Sequence, residues 1–321
     1  MKIEDFLGNE QVMRDIRTAD RQRMLPHAIL LDGARGTGKT TLAVLLSQMA
    51  VCSSEKERPC GVCSHCRKAG RRIHPDVMIA DGNHSGELSV QAVRTIRSQA
   101  YIKPNEADCR VFLLLNCDKM LAQAQNAFLK VLEEPPGNAL FVLTVTSANM
   151  LLETIRSRCR LYSLIPPEVP AAAQELKRLF PDKPPEEVEK AAAVHEGNIG
   201  KAAEMIQNGD EKAFALAEEI FRAAGGGNEY ELLKLTSQLT SGRAFAAEAL
   251  DALEELAAQA VKASAGVQVA SEAAVQLSRS QTKQRILQLE ENVSRAREVL
   301  QTNVNLAFFA TWLSAVLRIK S

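Results

Sequence analysis

Gly33-Ala34-Arg35-Gly36-Thr37-Gly38-Lys39-Thr40 stands between an apolar run, Ala28-Ile29-Leu30-Leu31, and a helix-patterned run from Leu42 to Ala50. The stretch fits G-x-x-x-x-G-K-[ST], in which Gly33, Gly36 and Gly38 let backbone N–H groups turn inward around phosphates. In that pattern Lys39 reaches the terminal phosphates, the Thr40 hydroxyl sits on Mg²⁺, and Thr41 follows at the start of the helix. A helix that begins at the lysine adds its positive N-terminal end to the same anion. Strand, loop and helix occur in the order this mechanism needs, so the stretch reads as a site for ATP with Mg²⁺. The competing reading is a Gly-rich turn without ligand. Whether a bound nucleotide is hydrolysed is decided elsewhere in the chain.

The 321 residues are enough for two or three domains, and 46% hydrophobic with 24% charged residues is the composition of an ordinary folded protein. Lysine plus arginine equals aspartate plus glutamate at 39 each, so any grip on nucleic acid has to come from a local patch. The first residues hold no apolar core of signal-peptide type, and the run from Leu306 to Leu317 is too short to span a bilayer. The expectation is a cytoplasmic protein with no membrane partner. Seven cysteines, several of them clustered, then point to reduced thiols or a metal site more than to a disulfide framework.

Upstream of the loop, Met13 to Arg23 is a basic helical stretch that either packs beside an adenine or forms a solvated face. His27 has no acid or nucleophile near it in sequence and reads as structural. Downstream, Cys52, Cys60, Cys63 and Cys66 give C-x7-C-x2-C-x2-C. Four thiolates satisfy tetrahedral Zn²⁺ with no open position, which makes a structural site. The alternatives are four free thiols, or a ligand set in which His65 replaces a cysteine. His74 to Ala80 looks like a turn into a second strand, and Asp81 to Gly86 like an exposed loop. Val90 to Tyr101 follows as a helix carrying Arg94 and Arg97, which are either phosphate contacts or plain surface arginines.

Arg110-Val111-Phe112-Leu113-Leu114-Leu115-Asn116-Cys117-Asp118-Lys119-Met120 decides the chemistry. Such a strand in a P-loop ATPase ends in an acid that holds the Mg²⁺ shell, with a second carboxylate that orients the attacking water. Leu115 and Asn116 fill those places, and Asp118 lies three residues past the strand end. Neutral side chains cannot do that electrostatic and base work, so weak or absent hydrolysis is expected. An amphipathic helix from Asn126 to the Pro135-Pro136 stop, a strand from Phe141 to Thr146 and a short helix over Leu151 to Ile155 lead to Ser157-Arg158-Cys159. The strand and helix alternation from Ala28 to Leu164 predicts a parallel sheet flanked by helices. Three helices follow, over 171–180, 184–195 and 199–207, and the pattern stays helical from Asp210 to Ser321 with a break at Gly225-Gly226-Gly227-Asn228.

From Asp5 to about Met205, through the P-loop, the four-cysteine insert, Asn126 to Pro136 and Ser157-Arg158-Cys159, the chain resembles the AAA+ clamp-loader ATPases of bacterial DNA polymerase III. The resemblance implies an AAA+ core over 1–165 with a zinc-binding insert at 52–66, a helical lid over 166–208 and an all-α collar for oligomerisation over 209–321. It implies that Arg158 is an arginine finger reaching a neighbouring subunit's ATP, where the sequence by itself reads as a helix-end arginine. Its implied partners are tau/gamma-type motor and delta subunits in a pentameric ring, the sliding clamp, and primer-template DNA. Motor subunits of the family carry Asp-Glu where this chain has Leu115 and Asn116. They also carry a sensing arginine where this chain has Gly200, with Lys201 one residue off. A further sensor position falls among Thr144, Thr146 and Ser147. The resemblance therefore points to a subunit that assists a neighbour's hydrolysis. The other readings are an active motor in which Asp118 rescues the metal, and a nucleotide-gated zinc scaffold without DNA function.

Overall fold

Five short runs, mostly aliphatic, pair in one parallel sheet: β1 (Ala28–Asp32), β2 (Val77–Asp81), β3 (Arg110–Leu115), β4 (Ala139–Val145) and β5 (Arg160–Ser163). The order is β2-β3-β4-β1-β5, with every pairing parallel. The computed structural model of the chain describes residues 3–208, 211–226, 228–302 and 304–318. α1 (Glu10–Arg21) precedes the first strand; parallel neighbours then need crossovers, and helices supply them: α2 (Lys39–Val51), α3 (Ser64–Gly70), α4 (Val90–Ala100), α5 (Ala122–Glu133) and α6 (Glu153–Arg156).

The near-continuous apolar central strands β1, β3 and β4 are buried on both faces, as a sheet covered by helices requires. Successive residues of β1 separate the two cores. Leu30 joins Phe112, Phe141, Val93 and Ile96 of α4, and Phe128 and Val131 of α5 on one side. Ile29 and Leu31 join Val142, Met13 and Ile16 of α1, and Leu42, Leu45 and Leu46 of α2 on the other. Phe141 stacks on Phe112 at 5.1 Å and takes the edge of Phe128 at 5.4 Å. Each of these buried rings is worth about 2–3 kcal/mol. The C-terminal ends of β1, β3 and β4 thus open side by side, at the edge where loops carry function in such sheets.

The expected alternation is present, with shifts at boundaries. α5 begins at Ala122, four residues before the expected start, and the short helix is α6 over Glu153–Arg156, preceded by a 3₁₀ turn at Ala148–Met150. Three helices follow as α7 (Val169–Leu179), α8 (Pro185–Val194) and α9 (Ile199–Asn208).

The chain divides into two compact units. One runs to Glu175 and takes in Gly197–Lys201; the other comprises Leu176–Glu196 and the chain from Ala202 onward. The three helices expected to form a lid are therefore shared between the units, and the expected boundary at residue 209 lies outside the described residues. In the second unit α10 (Glu211–Gly226), α11 (Glu229–Ser237), α12 (Arg243–Ser264), α13 (Glu272–Ser280), α14 (Lys283–Gln301) and α15 (Leu306–Leu317) surround one core that includes Phe221, Leu253, Leu256, Val293, Phe309 and Leu313. Asn228, Ser271 and Asn305 cap α11, α13 and α15 through their side-chain oxygens. Gly227, part of the expected break, lies outside the described residues.

Candidate functional site

Gly33 and Gly36 have φ of 147° and 86°, and Gly38, the residue before α2, has φ of 88°. At Gly36 a Cβ would lie 2.1 Å from Asn198 Oδ1, so only glycine fits. The loop is clasped from far along the chain: Asn198 Nδ2 donates to Arg35 O at 2.8 Å, and Gly200 N–H donates to Gly36 O at 3.1 Å. Lys39 opens α2 as expected and is buried. Its Nζ donates to Gly33 O at 2.6 Å and to Ala34 O at 2.8 Å. Burial lowers the Lys39 pKa, while the carboxylates of Asp118 and Asp32 pull it back up. Thr40 is half-buried and Thr41 exposed at the first turn of α2.

Facing this loop, the end of β3 offers no carboxylate. Leu115 is buried in the core, and Asn116 turns into a left-handed conformation with φ of 53°. The Asn116 N–H donates to Thr144 Oγ1 at 2.9 Å, and its Nδ2 donates to Asp81 Oδ1 at 2.7 Å. Asp118 Oδ1 accepts from the Thr146 N–H at 2.7 Å and from its hydroxyl at 2.6 Å. Ser147 caps the following 3₁₀ turn. Of the three sensor candidates, Thr144 serves Asn116, Thr146 serves Asp118, and Ser147 serves its own backbone.

At the far end of α2, Cys52, Cys60, Cys63 and Cys66 bring their sulfurs within 4.8 Å of one another, and all four are free of disulfides. Cys60 Sγ and Cys66 Sγ are 3.9 Å apart. Tetrahedral Zn²⁺ with bonds of ~2.3 Å needs sulfurs ~3.8 Å apart, so the set fits the ion. Backbone N–H groups of Ser54 and Cys60 point at Cys52 Sγ, that of Cys63 at Cys60 Sγ, and that of Cys66 at Cys63 Sγ, at 3.3–3.4 Å. Donors aimed at sulfur stabilise thiolates. Burial resists ionisation of Cys63, but N–H donors from Cys66 and Ser53 outweigh it and bring the thiol down to about 6. Burial dominates at Cys52 and Cys66 and pushes both up.

His65 does not join the thiols. Its Nδ1 lies 2.9 Å from Nε2 of buried His74, whose Nδ1 accepts the Asp76 N–H at 3.0 Å. Burial lowers the His74 pKa, and because its Nδ1 accepts the Asp76 N–H, the ring's proton sits on Nε2 and is donated to His65. His65, His74 and Glu106 crowd together, yet a metal ligand donates through its other ring nitrogen and His74 does the reverse. His65 and His74 form a hydrogen-bonded pair, with Glu106 beside them. Arg58 pairs with Asp20 of α1, and Lys68 with Glu106 at 2.5 Å, tying the insert down further.

Arg158 sits at the turn between α6 and β5. Its Nη2 lies 2.9 Å from Glu133 Oε1, and its Nη1 donates to Thr154 O at 2.9 Å. On α4, Arg94 is exposed and Arg97 half-buried. The P-loop, the Asp118–Thr146 pair and Asn198 gather at one edge of the sheet; the thiols gather at the opposite end of α2. Sequence reasoning missed Asn198, although the Gly197-Asn198-Ile199-Gly200 turn around it was a visible signal. It also missed Glu133, which lies within an ordinary amphipathic helix.

The family described as DNA polymerase III, delta subunit, matches residues 8–168. DNA polymerase III subunit delta' of Bacillus subtilis (strain 168) is 29% identical over 212 residues, 65% of this chain and 62% of that protein. Subunit delta' of Haemophilus influenzae is 30% identical over 183 residues, covering 57% and 56%. Subunit tau of Bacillus subtilis is 31% identical over 160 residues, covering 50% of this chain and 28% of that protein. The chain thus spans between 28% and 62% of the length of these relatives.

Proposed function

The chain belongs to the DNA polymerase III delta-subunit family, and we propose that it is a clamp-loader subunit of the delta-prime type. In this reading it joins tau/gamma-type motor subunits and a delta subunit in a pentameric ring that opens a sliding clamp and places it on primer-template DNA. The names of its relatives, subunits tau and delta' of DNA polymerase III, support assembly with the other subunits of that polymerase. The observation that carries the mechanism is a complete P-loop facing a strand end without carboxylates. Lys39, Gly33, Gly36, Gly38, Thr40 and Thr41 hold ATP with its Mg²⁺, but Leu115 and Asn116 neither hold the metal shell nor orient water, so turnover is weak or absent. A bound phosphate would draw Lys39 Nζ from the Gly33 and Ala34 carbonyls. Where Zn²⁺ is bound, the four thiolates lock the loop at the end of α2 and supply no chemistry.

Arg158 is the residue that acts outside the chain. Its guanidinium is permanently charged and forked, which suits the equatorial oxygens of a transferring γ-phosphate on the neighbouring subunit. A finger is worth roughly 10³ to 10⁵ in rate, or about 4 to 7 kcal/mol. ATPase measured on the assembled complex tests this reading. Adding the chain should raise DNA-stimulated turnover. Arg158→Ala should then leave assembly intact, lower total turnover by the share of one site, and impair clamp loading more strongly. Equal turnover and loading with the variant would remove the trans role.

A second reading is favoured by Asp118, whose carboxylate is oriented by Thr146 and acts on Lys39. If the isolated chain turns over ATP at a motor-like rate, abolished by Lys39→Ala and by Asp118→Asn, Asp118 serves the metal and the chain is itself a motor.

A further inference from the structure

A long arginine side chain does not keep one direction by itself, and Arg158 projects from a turn of three residues. The Glu133 carboxylate on Nη2 and the Thr154 carbonyl on Nη1, each at 2.9 Å, hold it, with a longer Nη1 bond to Ser157 Oγ at 3.4 Å. The side chains of Arg158 and Glu133 remain 36% and 47% exposed, so the guanidinium is oriented and still open to an incoming anion. With five N–H donors, it can keep these bonds and present others.

Glu133 is carried by an element braced at both ends. Past it, the Glu134 carbonyl accepts from Tyr101 Oη at 3.0 Å, and Pro135-Pro136 stop the helix. At the start of α5, Gln125 is buried at 5% exposure. Its Nε2 donates to Met120 O at 2.8 Å and to Met150 O at 3.3 Å, and its Oε1 accepts the Leu152 N–H at 2.8 Å. Leu152 immediately precedes α6. One buried amide therefore fastens the beginning of α5 to the beginning of α6, and Glu133 with Arg158 closes the other end. An exposed ion pair adds little stability, so the placement of this one bears on direction.

We propose that Glu133 is a positioning residue for Arg158, holding the guanidinium toward the place where a neighbouring subunit presents its triphosphate; this rests on the finger role given above. The test is steady-state ATPase of the complete complex reconstituted with wild type, Glu133→Gln, Glu133→Ala, Arg158→Ala and the Glu133→Ala/Arg158→Ala pair. Glu133→Ala should lower kcat at the facing site roughly ten-fold with KM nearly unchanged, because a misaimed group loses transition-state contact more than ground-state binding. Glu133→Gln, which keeps an acceptor, should lose less. In the Arg158→Ala background Glu133→Ala should have no further effect. In the isolated chain, NMR of the Arg158 guanidinium should show faster rotation once Glu133 is Ala. If Arg158→Ala slows the complex but Glu133→Ala does not, or slows it equally without Arg158, the positioning role is wrong and the finger stands. If Glu133→Ala speeds the complex, the pair is a restraint and the proposal is overturned. If Arg158→Ala itself has no effect, the finger fails and the positioning role fails with it.

Discussion

Gly200 stands where the resemblance expects a sensing arginine, and a Cβ there would lie 2.5 Å from Gly36 Cα. No side chain fits, so the departure is built into the packing of the loop. Gly200→Arg is expected to destabilise the first unit by about 3 kcal/mol through overpacking, and to weaken nucleotide binding without gaining turnover. Thermal melts and fluorescent-ATP titration check this; a stable variant with raised ATPase would contradict it. Asp76 makes a different kind of residue-scale claim. It is fully buried, and its carboxylate accepts the N–H groups of Asn105, Glu106 and Ala107 at 2.5–2.9 Å. Burial opposes the charge, but those three donors outweigh it and hold the pKa below the ordinary carboxylate range. A lowered folded pKa gives stability that is present above the unfolded value of about 3.9 and lost as pH falls through the folded one. Asp76→Asn should therefore cost about 2–3 kcal/mol in urea melts at pH 7, and the gap from wild type should narrow at pH 3. A gap independent of pH would show that the charge is not what matters.

Among the elements, the cysteine insert is fastened at several points. Cys52 ends α2 and Cys63 caps α3, while Gln48 Nε2 donates to Cys66 O at 2.8 Å. About one Zn²⁺ per chain is expected by elemental analysis, falling to near zero in Cys63→Ser/Cys66→Ser, with faster proteolysis between 53 and 63. Metal-free protein with normal folding and protease resistance would exclude the metal. The insert was legible because C-x2-C steps at this spacing have few other uses; its brace through His74 and Asp76 was not, because it joins residues 65 and 106 in space. The start of α2 was legible from the loop chemistry itself. The start of α5 was misplaced because buried Gln125 breaks the apolar period that marks a helix face. β5 has four residues, of which only Tyr162 is buried, and offers no apolar run to find.

For the whole molecule, the alternation of strand and helix announced the parallel sheet, and the 3.6-residue period announced the helical second unit. Among the described residues no helix is long and apolar enough to cross a membrane. Periodicity could not reveal that Gly197–Lys201 returns to the first unit after Leu176–Glu196 has been spent on the second. That return has a consequence for how the protein is made. Asn198 meets Arg35 across 163 positions of sequence. At roughly 5–20 residues per second, a ribosome needs about 8–30 s to deliver the second partner after the first. The phosphate loop is thus translated well before the residue that completes it. Until then its carbonyls at Arg35 and Gly36 lack the donors that clasp them, and the nascent first unit has to hold its sheet together on hydrophobic burial while the rest of its nucleotide site is still being synthesised.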